Sequence, residues 1–399
     1  MRRLSSLAPA LTCSVTLLAA TAVQAGGFRL PDVSAVGVAV ANALVANPNE
    51  DGAIPINPAA MSFLPGNGVV AGGAMLIDFG TEVTRTGTTV ESDSNPWAVV
   101  PSFYVAHHIP DSIFTVGLNI NAPFGLATRW PAGTFAATDP TLSRLRMVSI
   151  NPNVSARIGD HTAISIGPAH YRITDIVQDS ATNAMSGTGD KTGYQIGLMH
   201  VEQDWSVGLS YRSQITVPVE GRLNRVLPIG VDFQFPELLQ VGGRYQVNDK
   251  LAIEYDIERV GWSAYKDSRI INQTTGATVS FSTHNWRDTT THRLGLTYKL
   301  NDSTDLMFGY LDDQNPQPES RFSPRLPALD YQGYSVGVGY KIGQFRLVGS
   351  YQFLDFKDRD INNSAAFGTY GTDGNGTAIY NGKYASYVHQ VGLGLSASF

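Results

Sequence analysis

The segment "YSVGVGYKI", residues 334–342, puts Tyr334, Val336, Val338, Tyr340 and Ile342 on one face and Ser, Gly and Lys on the other. That is the period of a β-strand lying between two different surroundings. A tight turn, "KIGQF" near residue 343, follows at once. The same alternation runs through "FTVGLNI" (Phe114, Val116, Leu118, Ile120), "WSVGLSY" (Trp205, Val207, Leu209, Tyr211), "LAIEYDI" (Leu251, Ile253, Tyr255, Ile257) and "HRLGLTYKL" (Leu294, Leu296, Tyr298, Leu300). A soluble sandwich shows such alternation too, so the turns have to decide.

Short polar turns recur as "HIPDS" near 110, "IGDH" near 160, "EQDW" near 204, "VNDK" near 249, "LNDST" near 302 and "KIGQF" near 343. Between them lie long irregular stretches such as "RWPAGTFAATDPTLS", "DDQNPQPESRFSPRLPALD" and "DINNSAAFGTYGTDGNGTAIYNGK". Tight turns at one end and long loops at the other form the pattern of a transmembrane barrel, with periplasmic turns and extracellular loops. Six turns join twelve strands, and one strand on either side makes fourteen. Their expected starts are near 69, 97, 113, 146, 162, 192, 205, 238, 251, 290, 305, 331, 345 and 386. A β-propeller has a similar repeat length but would carry a blade signature, and none is visible. The last strand, "YASYVHQVGLGLSASF", puts Val391, Leu393, Leu395, Ala397 and Phe399 on one face, a terminal aromatic pattern associated with outer-membrane barrels. The fold class is an all-β transmembrane barrel of 14 antiparallel strands.

The amino terminus agrees with export. Arg2 and Arg3 precede an apolar run, and "VQA" ends at Ala25, so residues 1–25 read as a signal peptide. A lipobox at Leu11-Thr12-Cys13 would truncate the hydrophobic core of that signal. Cys13 is the one cysteine, so the mature chain carries no disulfide. Without Arg2 and Arg3, 26 of the 28 basic residues remain against 34 acidic ones, a mature net charge of about −8. Nucleic acid is thereby disfavoured as a partner. With 40 glycines, 17 tyrosines and 17 phenylalanines but only 16% charged residues, the composition points to exported β-structure rather than a helical cytosolic enzyme.

Residues 26–67 do not alternate. "SAVGVAVANALVA" reads as a small-residue helix capped by Ser34, and Asn57-Pro58-Ala59 as a second helix start with Asn57 capping and Pro58 at the first helical position. Fourteen strands enclose a lumen too wide for wall side chains to fill. The apolar segment 26–67 is therefore expected as a partly helical hatch inside a barrel formed by residues 68–399. Arg244, Glu254, Asp256, Glu258 and Arg293 share inward parity; they either orient the hatch or a substrate head group, or neutralise one another across the wall.

The stretches "GGFRL", "NPAAM", "NAPFGLATRW", "FPELLQVGGRYQVNDKLAIEYDIERVGWSAYKD" and "PQPESRFSPRLPALDYQGYSVGVGY" together resemble the FadL family of outer-membrane transporters, over essentially the whole mature chain. The resemblance implies passive uptake of long-chain fatty acids or similar hydrophobic molecules in the bacterial outer membrane. The ligand would be caught among extracellular loops, pass to an apolar pocket gated by the hatch and leave sideways at a kinked third strand. An aromatic-hydrocarbon channel of the same architecture is the alternative. The resemblance assigns Phe28 and the adjoining Leu30 to the pocket and Asn57, Pro58 and Ala59 to the hatch. It places the kink at Ala122, Pro123, Phe124 and Gly125, where a proline that removes a ladder donor and a glycine both disfavour a continuous strand. "DSATNAMSGTGDK" is short for an external capture loop, and the longer apolar "VPVEGRLNRVLPIGVDFQFPELL" is expected to carry more of that groove.

For a carboxylate, Arg157, Arg172 and Lys299 are the cationic candidates from parity. No enzyme is indicated. The eight histidines lack metal-ligand spacing, and "DGNG" at 373–376 lacks the later acidic ligands of a calcium loop. Neither cofactor nor metal is expected, and the chain is expected to be a monomer amid outer-membrane lipid and lipopolysaccharide. A phospholipase barrel would need an outer-wall Ser/His pair that is not evident, and a general porin would lack the apolar amino-terminal segment.

Overall fold

The computed structural model describes residues 27–31, 33–92, 97–136, 139 and 141–399. The expected signal peptide, with Cys13, lies outside the described residues. Fourteen antiparallel strands pair in chain order and close on themselves. The first, Gly68–Arg85, pairs with the second, Ala98–His108, and with the last, Gly382–Ser398, so that Val69 faces Ser398 at one end of the seam and Thr84 faces Lys383 at the other. The third strand is Phe114–Asn121, resuming as Leu126–Arg129, and it is followed by Leu142–Ile158, Thr162–Asp179 and Ala184–Val201. The seventh, Trp205–Arg212, continues as Ile215–Leu223, and the eighth runs as Leu227–Phe235 and then Leu238–Gln246. Leu251–Val260, Thr289–Lys299, Thr304–Asp313, Tyr331–Ile342 and Phe345–Phe356 complete the wall. Closure pairs the first strand with the last, so neither is left as a free edge in the bilayer.

Most strand starts fall within a residue of their sequence expectation. Four of them start earlier, at Leu142, Ala184, Leu227 and Gly382 rather than near 146, 192, 238 and 386. All four descend from the extracellular end, where both faces meet water or loops and the apolar alternation fades although the ladder continues. For the same reason the expected loop "DSATNAMSGTGDK" shrinks to a turn at Ser180–Asn183 (Ser180 N to Asn183 O, 2.7 Å), and "VPVEGRLNRVLPIGVDFQFPELL" is largely a regular hairpin in which Ile215 faces Phe235 and Leu223 faces Leu227.

The outward side chains include Val336, Val338, Leu347, Leu393 and Leu395, all exposed. Toward the tight turns this belt ends in Trp205, Tyr245, Tyr298, Tyr340 and Phe345. Toward the other end, Tyr194 lies 6.0 Å from Tyr211 and Tyr310 lies 5.6 Å from Tyr334, ring to ring. An apolar band between two aromatic rows matches the hydrocarbon layer and its two interfaces.

Inside the wall lies the amino-terminal segment. Gly37 N bonds the Ser34 hydroxyl at 3.0 Å to start the helix Ala35–Ala39, which packs on the first and the eleventh to fourteenth strands. The helix is shorter than "SAVGVAVANALVA" suggests because Ala41 (φ 50°) and Asn42 (φ 61°) turn left-handed and end it. Ala59 N bonds Asn57 Oδ1 at 3.2 Å, opening the 3₁₀ helix Pro58–Phe63, which touches the second to sixth strands. Wall glycines give this backbone its room: a Cβ at Gly208 would sit 1.9 Å from Val45 O, and one at Gly309 would sit 2.4 Å from Ala41 N.

A lipid-facing charge tests the wall directly. Val336→Arg should cost roughly 2–4 kcal/mol, the scale for a cation facing the hydrocarbon layer, read from urea unfolding in lipid vesicles, whereas the same substitution at exposed Val226 in the extracellular hairpin should cost little.

Candidate ligand-binding site

Phe28 is fully buried at the base of the extracellular half. Its ring is surrounded by Trp262 at 4.6 Å, Phe233 at 5.4 Å, Tyr265 at 5.5 Å, Phe235 at 5.8 Å, and Phe124 and Trp286 at 5.9 Å. These rings come from the extended hairpin, the kink and the loop after the ninth strand. Burying one such ring is worth about 1.5–3 kcal/mol, and the pocket holds several. Above it, a cavity of about 330 Å³ opens outward, lined by Leu126, Ile176, Ile229, Phe233, Tyr265 and Trp286 among others. Its size and mainly apolar lining suit a small hydrophobic ligand. The hairpin residues Leu223, Ile229, Val231 and Phe233 do line it, as the length of that stretch suggested.

The third strand breaks between Asn121 and Leu126. Second-strand pairing to it ends at Phe103–Ile120, so Ala98–Ser102 pair with the first strand alone among the described residues. The broken stretch takes its partners from the amino terminus instead. Leu30 N bonds Pro123 O at 2.9 Å, Gly125 N bonds Phe28 O at 2.9 Å, and Arg29 and Phe124 form a bridge. Thus Phe28, Leu30 and Ala122 to Gly125 form one assembly, with Phe28 and Phe124 buried in it and Leu30 and Ala122 in a neighbouring apolar cluster.

Asn57 and its neighbours lie lower in the lumen. The Asn57 amide donates to Val45 O at 2.7 Å and Leu198 O at 3.0 Å, tying two parts of the segment to the sixth strand, and Pro58 and Ala59 are buried beside it. Glu254 accepts from Ala46 N at 2.8 Å, and Asp256 accepts from Leu44 N at 3.0 Å and Val45 N at 3.1 Å. Glu258 receives Arg29 at 2.5 Å and Arg293 at 2.8 Å, while Arg293 also donates to Ala41 O at 3.0 Å. The bonds express both readings of these inward charges: Glu254, Asp256 and Glu258 hold the segment, and Glu258 and Arg293 neutralise one another between adjacent strands of the wall. Arg244 stands apart, lining a polar cavity of about 640 Å³ at the tight-turn end.

The three cations named from parity do not line the outer cavity. Arg157 lies at the tight-turn end, donating to Asp160 O at 2.7 Å and stacking 4.9 Å over Phe63. Lys299 lines the polar lower cavity and pairs with Asp302 at 3.1 Å. Arg172 shares a face with exposed Ile164 and Ile166 while Tyr171 and Ile173 point inward, so its parity is outward. Parity with Ser206, Gly208 and Ser210 turns a different arginine, Arg212, inward.

Compared with known proteins, residues 16–399 match the family model described as "Outer membrane protein transport protein (OMPP1/FadL/TodX)". The chain belongs to this family. Family members similar to it include the 47 kDa outer membrane protein of Pasteurella multocida, 23% identical with 86% of this chain and 90% of that one covered, and a long-chain fatty acid transport protein of Salmonella typhi, 22% identical with 83% and 87% covered. Among solved structures, a Pseudomonas aeruginosa FadL homologue superposes with a TM-score of 0.79 at 17% identity, covering 94% of this chain and all of that one. The Pseudomonas putida toluene transporter TodX gives 0.67 at 16%, covering 93% and 99%. Family membership places the protein in the bacterial outer membrane.

His284, in the extracellular loop after the ninth strand, stacks on Tyr265 at 4.2 Å, and its Nε2 lies 3.0 Å from Ser268 Oγ. Burial pushes its pKa down to about 4. Because the folded value lies below the unfolded one near 6.5, its contribution is present above that pH and is lost as pH falls toward about 4. Protection against hydrogen exchange around residues 265–286, taken relative to the intrinsic rate at each pH, should therefore be flat between about pH 6.5 and 8 and fall as pH falls toward 4, and His284→Gln should flatten that fall. Separately, Glu258→Ala would remove the buried carboxylate that Arg29 and Arg293 share, a loss of about 3–5 kcal/mol. It should loosen the amino-terminal segment and raise single-channel conductance in a planar bilayer.

Proposed function

We propose that the protein takes up hydrophobic small molecules, long-chain fatty acids or aromatic hydrocarbons, passively across the outer membrane. The observation that carries this is the direct bonding of Phe28 and Leu30 to the interrupted third strand, which makes the floor of an apolar pocket and a gap in the wall parts of one unit. The fatty-acid and toluene transporters named among its relatives and fold neighbours support the ligand class.

In this reading the outer cavity catches the ligand, residues 26–67 act as the hatch, and displacement of Phe28 together with Leu30 frees Gly125 N and Pro123 O. The ligand then leaves sideways above Phe103, where the second and third strands do not pair. Burial of each methylene contributes roughly 0.8 kcal/mol, so half of a long acyl chain supplies several kcal/mol for capture. Release needs no energy source, because the bilayer receives the same apolar surface that the pocket gives up. The density of rings around Phe28 suits an aromatic ligand as well as an acyl chain.

Uptake of labelled oleate and labelled toluene in a strain lacking its own transporters tests the proposal. Phe28→Ala or Pro123→Ala should each lower uptake at limiting concentration by roughly tenfold, equivalent to about 1.4 kcal/mol. Undiminished uptake with both residues replaced overturns the sideways route; uptake no greater than that of the empty strain overturns the transport reading.

A further inference from the structure

Arg212 ends the lower part of the seventh strand and is 6% exposed. Its guanidinium donates to Gln195 Oε1 at 3.0 Å and to the Tyr171 hydroxyl at 3.5 Å, and lies 5.9 Å from the centre of the Tyr171 ring. These partners are all uncharged. Arginine cannot shed its proton inside a protein, and a buried charge left without a counter-charge is strongly unfavourable. The guanidinium charge is met here by two neutral acceptors and a ring face.

The place has a shape as well as a charge. Arg212 lines a cavity of about 40 Å³ together with Arg29, Leu30, Pro123, Gln195 and Glu258. Pro123 and Leu30 are the bonded pair at the break in the third strand, and Tyr171 belongs to the apolar cluster around Phe28. The cavity thus adjoins both the aromatic pocket and the gap. Its single carboxylate, Glu258, is already shared by Arg29 and Arg293. The outer cavity has the opposite balance: Arg144 pairs with Asp175 at 2.7 Å, and Arg325 with Asp373 at 3.1 Å and Asp139 at 3.4 Å. Going inward, the lining changes from compensated arginines to an arginine with no carboxylate within ion-pair distance among the described residues.

We propose that Arg212 receives the carboxylate of an apolar acid, which enters head first and is read beside the break in the third strand while its tail occupies the aromatic pocket. This rests on the uptake reading above and narrows it, because an uncharged ligand would pass Arg212 without an ionic contact. The cavity accommodates little more than the head group, and the rings above accept the methylenes. A free inorganic anion carries the same charge but has no tail for the pocket to hold.

The test compares oleate with methyl oleate, equal in tail and different in charge, in cells carrying the full chain. The wild type should favour oleate. Arg212→Gln should reduce oleate uptake by roughly tenfold relative to methyl oleate, the scale of a lost charge-assisted hydrogen bond, and Arg212→Lys should restore part of the ratio. Heat-modifiable migration of both variants reports that the barrel has formed. An unchanged ratio in Arg212→Gln overturns the assignment, as does an equal fall for both compounds, which indicates a packing role. An effect of sodium chloride or phosphate on both compounds alike identifies a free-anion site and overturns the carboxylate reading as well. Absence of uptake of both compounds in the wild type would instead count against the transport proposal itself.

Discussion

A non-helical backbone inside a membrane barrel has little water to bond, so each of its donors needs a partner from the protein. The amino-terminal segment meets that demand through the ninth strand. Glu254 and Asp256 take the N–H groups of Leu44, Val45 and Ala46, and Glu258 takes the Arg29 side chain. Arg29 lies between Phe28 and Leu30, the residues bonded to the interrupted third strand. The anchoring carboxylates, the aromatic pocket and the break in the wall are therefore consecutive links of one chain of contacts.

This arrangement divides the segment into two parts with different holdings. From Ala35 to Phe63 it is packed against wall glycines and bonded through Asn57, Gln195, Ser206, Ser210 and Ser350. From Phe28 to Leu30 it is held by two backbone bonds, one ion pair and ring contacts that an apolar ligand can replace. A ligand entering the pocket competes with Phe28 for the same surface, and the bonds to Pro123 and Gly125 depend on where Phe28 sits. The broken strand is what makes this coupling available, since an intact ladder would already have satisfied Pro123 O and Gly125 N.

Much of the wall was legible because the bilayer imposes a strict rule. Side chains facing lipid must be apolar and those facing the lumen need not be, so Val336, Val338 and Tyr340 announce a strand without any knowledge of its neighbours. The rule lapses above the membrane. There the strands at Ala184 and Gly382 continue by backbone bonding alone, and the hairpin from Ile215 to Phe235 looks like a loop. Parity also identified Glu254, Asp256, Glu258 and Arg293 as inward, but not their partners.

The sequence by itself determined the strand count, the closure with both ends of the barrel at the tight-turn side and the caps at Ser34 and Asn57, while the place of the interruption at Pro123 came from the family resemblance, with which proline chemistry agrees. The first three follow from local chemistry: alternation, and a hydroxyl or amide acceptor before a helix. Only the tertiary structure decided what those features serve. Arg157, Arg172 and Lys299 looked suited to a carboxylate, yet height along the barrel and outward parity take them away from the outer cavity. Arg212 earned no notice in its strand and acquires its character from Gln195, Tyr171 and the break at Pro123, which come from three other strands. A pocket is a meeting of distant segments, and the pairing register that brings them level is settled by the closure of the whole sheet.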